Sequence, residues 1–225
     1  MTADPALADY YAQRAAEYER IYLKPERQPE LRQLKQLVRA AMAQRDVLEI
    51  ACGTGYWTEA AAGSATSIAA FDINEAVLEI ARSKPINPGK VTFAIGDAYQ
   101  LPVAPSCFNA ALSVFWWSHI PRKQLADFLT PLHRTLQPGA TVVFIDNTHV
   151  PGESTPISRT DDAGNTYQLR RIDKGGTFEV LKNYPTEQEL RDAVAGFAGN
   201  IEIKWLKYYW WFSYQLRDAS QARHD

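Results

Sequence analysis

Between Val47 and Asp146 the chain alternates short apolar runs with amphipathic segments, and this alternation admits few folds. Residues 47–50 read as a buried strand entering a glycine turn, and residues 57–62 as a helix. A strand at 67–72, a helix at 75–82, a strand at 91–95, a strand at 108–115, a helix at 125–136 and a strand at 141–146 follow. Strands separated by helices at this spacing need crossover connections, which give a parallel sheet with helices on both faces. Upstream, a helix at about 30–44 carries Leu31, Leu34, Leu37, Val38 and Ala41 on one side. Tyr11, Ala15 and Tyr18 also recur at helical spacing.

After Asp146 the pattern changes. Residues 147–184 are rich in Gly, Pro, Ser, Thr and Asp, a stretch too long for an ordinary connection. It reads as a cap presenting Arg159, Tyr167, Arg170 and Arg171, which either hold an anionic group or pair with Asp161 and Asp162. Thr186 and Glu189 have the spacing of a capping box. Strands at 201–206 and 208–214 complete seven, and residues 218–225 read as a frayed tail. The expected organisation is one domain over 1–225. It divides into a helical lid (1–45), a core (46–146), an inserted cap (147–185) and a C-terminal helix with strands (186–217).

Composition excludes several function classes. Lys plus Arg number 24 and Asp plus Glu 26, a formal charge of −2, so the chain as a whole has no electrostatic pull toward nucleic acid. Hydrophobic residues make up 46%, enough for a sizeable core. Two cysteines, Cys52 and Cys107, build neither a disulfide framework nor a four-thiolate zinc site, and no metal is expected. The first residues lack the order of a signal peptide, and no apolar run reaches membrane-spanning length. The expected setting is the cytoplasm, as a monomer or homodimer.

The chemistry starts at Glu49-Ile50-Ala51-Cys52-Gly53-Thr54-Gly55. A glycine turn after the first strand lets backbone approach a ligand closely, at the sheet edge where open parallel sheets bind ligands. Asp72 ends the second strand, where a carboxylate accepts ribose hydroxyls, and Asp97 follows the third. A dinucleotide fold would also use a glycine loop and an acid, but it needs a small residue where this chain has Thr58.

Residues 47–56 (VLEIACGTGY) resemble the first motif of class I S-adenosylmethionine-dependent methyltransferases. Phe71-Asp72-Ile73 resembles their second motif, and residues 96–102 (GDAYQLP) their adenine-binding segment. Residues 132–145 (LHRTLQPGATVVFI) resemble their helix, Pro-Gly turn and fifth strand. The resemblance implies a Rossmann-like, doubly wound, mainly parallel seven-stranded α/β sheet. It also implies S-adenosyl-L-methionine as cofactor and S-adenosyl-L-homocysteine as product.

In that family Glu49 meets the methionine amino group, and Ala51, Gly53 and Gly55 line the methionine moiety, with Cys52 and Thr54 in the same loop. Asp72 binds the ribose, Ile73 packs on the adenine, and Asp97, Ala98 and Tyr99 form the adenine segment. Phe115 and Trp116 flank the cofactor, and Tyr11 and Tyr18 close over it.

Methyl transfer from a sulfonium is an in-line displacement that chiefly needs alignment and exclusion of water. His119 and Asp146, at the same sheet rim, are the candidate catalytic groups, His119 as a base near neutral pH or as an orienting residue. Asn147 and His149 face the same rim. No Asn-Pro-Pro-Tyr-like motif follows the fourth strand, and Cys107 lacks a Pro-Cys context, which disfavours DNA methylation. The expected acceptor is a small molecule modified at O or N, with C open. The competing readings are an NAD(P)-dependent oxidoreductase, a non-catalytic cofactor-binding module, and a protein or RNA methyltransferase.

Overall fold

A computed structural model describes residues 2, 4–173 and 175–217; the expected tail at 218–225 lies outside the described residues. Helix α1 (Pro5–Arg14) and 3-10 turns at Ala15–Tyr22 precede α2 (Gln28–Ala41). Then come β1 (Asp46–Ile50), α3 (Tyr56–Ala62), β2 (Ser67–Asp72), α4 (Glu75–Ser83), β3 (Val91–Ile95) and β4 (Phe108–Val114). Helix α5 (Leu125–Thr135) leads into β5 (Leu136–Asn147). The seven-stranded sheet has the order β3-β2-β1-β4-β5-β10-β9, where β9 is Ala198–Trp205 and β10 is Tyr209–Leu216. The first five strands are parallel, and β10 runs antiparallel to both neighbours.

The period-two alternation of the strands sorts the core onto two faces. Leu48, Ile50, Phe144 and Trp210 join α5 residues Phe128, Leu129 and Leu132 on one side. Val47, Ile145 and Trp211 join Leu31, Leu34 and Val38 of α2, with Trp57 of α3, on the other. Each such side chain contributes about 1.5–3 kcal/mol by burial. The strand order reverses between β1 and β4, so the carboxyl ends of β1, β2 and β4 open onto one edge, the usual ligand position in such sheets.

Two expectations are refined. The tyrosine stripe does not lie on one continuous helix, because α1 gives way to 3-10 turns at Ala15. Nor does the Pro138-Gly139 turn precede the fifth strand. It lies within β5, where Gly139 has φ 77° and the pairing with β4 shifts register. The cap is built, not irregular: β6 (Arg159–Thr160), β7 (Thr166–Arg171) and β8 (Thr177–Leu181) form a separate antiparallel sheet. The capping box at α6 (Glu187–Ala193) is present, with Glu189 N–H bonded to Thr186 Oγ1 and Thr186 N–H to Glu189 Oε2. No described helix is long and apolar enough to cross a membrane.

Candidate functional site

The turn after β1 is wound through left-handed conformations at Ala51 (φ 54°), Gly53 (φ 55°) and Gly55 (φ 75°). Such φ values cost an L side chain about 1–2 kcal/mol, which glycine avoids. Asp72 fixes the turn: its carboxylate accepts the Gly53 N–H at 2.9 Å and the Asn74 N–H at 2.9 Å. Burial raises the Asp72 carboxyl, opposed by these backbone bonds. Thr54 donates to Glu19 at 2.7 Å, and Lys84 bonds the same Glu19 oxygen at 2.5 Å, tying the lid to the loop.

A cleft with about 700 Å³ of empty space opens above this turn. Ala51, Gly53, Asp72, Ile73, Ala98, Phe115, Trp116 and His119 line it, and Tyr11 and Tyr18 of the lid cover it. A Cβ on Gly53 would meet no atom within 4 Å, whereas one on Gly96 would lie 2.7 Å from Phe71 Cδ1, so the floor depends on glycine there. Ile73 presents a 38% exposed apolar face.

Beneath the turn, Glu49 is 2% exposed, and its Oε2 has no hydrogen-bond partner. Desolvation pushes its carboxyl up to about 8. A buried carboxyl with one oxygen unpartnered at a glycine turn can lose its proton to receive a cation, which fits the ammonium of an S-adenosylmethionine methionine group.

Tyr11, Tyr18 and Phe115 also face a second, more polar chamber with about 1120 Å³ of empty space. Arg14, Arg27, Asn147, Arg170, Lys182 and Tyr184 lie on its wall. Tyr11 and His119 form the hinge between the two spaces. His119 Nδ1 lies 2.6 Å from the Leu181 carbonyl, which can only accept, so Nδ1 carries the proton. Its Nε2 therefore accepts the Tyr11 O–H at 2.7 Å. Burial, then the charges of Lys182 and Arg170, push the imidazole down to about 3, and burial pushes the Tyr11 phenol up to about 12.

Asp146 is fully buried and committed: it accepts Lys182 Nζ at 2.7 Å, Ser118 N–H at 2.9 Å and Asn147 N–H at 2.7 Å. Burial alone would raise its carboxyl, but Lys182 holds it below the usual carboxylate range.

Residues 47–139 match the family described as Methyltransferase domain. A demethylmenaquinone methyltransferase of Staphylococcus aureus (strain MRSA252) is 32% identical over 102 residues, 44% of this chain and 42% of that protein. The chain thus spans less than half the length of that relative. The "Ubiquinone/menaquinone biosynthesis C-methyltransferase UbiE" of Methylobacterium nodulans is 31% identical over 175 residues, 69% of this chain and 63% of that protein. Among solved structures, the DhpI–SAH complex aligns with TM-score 0.77 at 21% identity, covering 94% of this chain and 96% of that one. The PH0226 protein of Pyrococcus horikoshii OT3 aligns with TM-score 0.71 at 19% identity, covering 89% and 99%.

Residues 47–139 thus form a methyltransferase-like domain, on the fold of the SAH-bound DhpI structure. Within the methyltransferase domain, the cleft draws together Ala51, Gly53, Asp72, Ile73, Ala98, Phe115, Trp116 and His119. Other expected contacts lie away from the cleft wall. Cys52 packs in the core, where burial keeps its thiol protonated. Thr54 serves the lid, and Gly55 caps α3. Tyr99 packs on Trp116 and Phe128, while Asp97 takes the Tyr99 N–H at 2.9 Å.

In the cap, Arg159 pairs with Glu179 and lies over the Tyr167 ring at 3.6 Å, so its partner is neither Asp161 nor Asp162. Arg170 and Arg171 do face the chamber. His149 instead packs against Tyr184, ring centroids 5.1 Å apart. Sequence reasoning missed Lys182, Ser118 and Tyr184. A lysine at the end of an ordinary-looking strand carries no local sign that it will meet an aspartate 36 positions earlier.

Proposed function

We propose that the protein transfers a methyl group from S-adenosylmethionine to an oxygen or nitrogen of a small-molecule acceptor. The observation that carries the reading is the partnerless, buried Glu49 Oε2 under a glycine turn that Asp72 holds. In this reading Glu49 holds the methionine ammonium, Asp72 the ribose, and Ile73 the adenine, with Asp97 and Ala98 at the adenine edge. Ala51, Gly53, Phe115 and Trp116 shape the methionine end, and Tyr11 and Tyr18 close the lid. The cofactor supplies an electrophilic methyl group on a sulfonium, and the chain aligns the acceptor and excludes water.

His119 works as an orienting group, since its nitrogen is engaged by Tyr11 and its proton affinity is depressed. Asp146 lines neither space and acts by positioning Lys182 and the Ser118 segment. The divisions at 1–45, 46–146, 147–185 and 186–217, a monomeric or homodimeric state and a cytoplasmic setting belong to the same proposal. The relative named a C-methyltransferase raises carbon as the acceptor atom. The cationic, polar wall of the second chamber favours a heteroatom acceptor.

Thermal unfolding separates this reading from an oxidoreductase. S-adenosylhomocysteine at a hundredfold excess over its Kd should stabilise the protein by about 2.7 kcal/mol, while NADH leaves the melting temperature unchanged. Stabilisation by NADH alone would overturn it.

A further inference from the structure

The second chamber carries an unbalanced charge. Six cationic side chains face it (Arg14, Lys24, Arg27, Arg170, Arg171 and Lys182), against the single acid Glu153. Some of these charges are already answered. Lys182 is neutralised by Asp146 at 2.7 Å, Arg14 lies 3.9 Å from Glu17, and Glu153 is itself paired with Lys207 at 2.7 Å. Arg170 is not answered. Its Nε and Nη2 bond the neutral Gln168 Oε1, at 3.2 and 2.8 Å, its other hydrogen-bond partner is the neutral Tyr10 hydroxyl, and no described carboxylate forms an ion pair with it. Arg27 Nε is buried with no hydrogen-bond partner.

The surroundings hold Arg170 in place. Gln168, 1% exposed, is fixed by donating to the Thr155 carbonyl at 2.6 Å and to the Tyr184 hydroxyl at 2.8 Å. Tyr184 therefore keeps its own O–H to donate toward the chamber that it lines. Arg27 lies over the Tyr208 and Tyr209 rings, at 5.1 and 5.9 Å, so both guanidinium groups have neutral partners and no carboxylate, and such groups in a half-enclosed site are matched best by a planar or tetrahedral oxyanion, which takes two parallel N–H bonds.

We propose that the acceptor is a small oxyanion, a carboxylate or a phosphate or phosphonate, seated in this chamber on Arg170 and Arg27 with its reactive oxygen directed past Tyr11 into the cleft. The inference rests on the methyl-transfer reading and names its substrate class. The step balances without a base. A lone pair of the ionised oxygen forms the new C–O bond, the methyl carbon–sulfur bond breaks, and that electron pair leaves with sulfur. No proton moves. This agrees with the engagement of the nearby candidate bases: His119 Nε2 on the cleft wall is taken by Tyr11, and the Asp146 carboxylate behind it is taken by Lys182.

The test titrates inorganic phosphate and propionate separately into protein saturated with S-adenosylhomocysteine, using wild type, Arg170→Gln and the surface control Arg191→Gln. Saturable binding of at least one anion is expected in wild type and the control, weakened tenfold or more in Arg170→Gln with S-adenosylhomocysteine affinity unchanged. Transfer of labelled methyl then separates the two sources. A carboxylate acceptor gives an ester that releases labelled methanol in mild alkali, and an alkylphosphonate gives one that survives it. The proposal is overturned if neither anion saturates, if Arg170→Gln binds them as wild type does, or if matched neutral amides or alcohols take the label in preference to the acids. Failure of S-adenosylhomocysteine itself to bind would instead remove the methyl-transfer reading beneath it.

Discussion

The cleft and the chamber share three side chains, Tyr11, Tyr18 and Phe115, yet they are built on different principles. The cleft is apolar and made mainly by backbone turns at the ends of β1, β2 and β3, all within residues 47–139. Two buried acids stand at its base, Asp72 in the lining and Glu49 beneath the turn. The chamber is polar and assembled by side chains from the lid, the cap and β10, nearly all outside that stretch, and its excess charge is positive. Under the proposed function the contrast divides the labour: the strand-end turns hold the cofactor, while the segments outside residues 47–139 line the space for the acceptor.

If the two regions are separable, damage to one should leave the other's ligand untouched. The largest effect is expected at Lys182→Met, which strands Asp146 as an uncompensated buried carboxylate. Urea unfolding should show a loss of about 3–5 kcal/mol. The double variant Lys182→Met/Asp146→Leu should regain most of it. A loss below 1 kcal/mol in the single variant would mean that the ion pair does not anchor the cap to the sheet.

Asp72→Ala should be next, weakening S-adenosylhomocysteine binding by roughly 2–3 kcal/mol, about thirty- to hundredfold, because it removes the anchor of the Gly53 and Asn74 amides as well as a ribose partner. Phosphate affinity of the chamber should stay within about twofold. A parallel loss of both ligands in calorimetry would show one coupled site instead of two.

The same divide decides what was legible in the sequence. The alternation of strands and helices is local, so the order from β1 to β5 and the turn residues Gly53, Asp72 and Ala98 could be placed from neighbours along the chain. The alternation of β10 likewise sends Trp210 and Trp211 to opposite faces of the sheet. Lys182 meeting Asp146 and Tyr11 meeting His119 are contacts across 36 and 108 residues, set by how the cap and lid fold back. No periodicity records them. The depressed basicity of His119 follows from burial and from the nearby Lys182 and Arg170 charges, surroundings set by the same folding back, so no local pattern announces it.

In the proposed role, Glu49 is protonated in the free protein and gives up its proton when the cofactor ammonium binds. Its folded-state carboxyl lies at about 8, above the ordinary 4.5, so its contribution to stability is full below pH 4.5 and is lost as pH rises toward 8. Binding the ammonium requires the carboxylate, so the proton must leave. Calorimetric titration of S-adenosylhomocysteine at pH 7, in buffers of different ionisation enthalpy, should show release of about one proton per binding event in wild type and none in Glu49→Gln. Binding without proton release would contradict the role of Glu49, and the absence of any binding heat in every buffer would contradict the account as a whole.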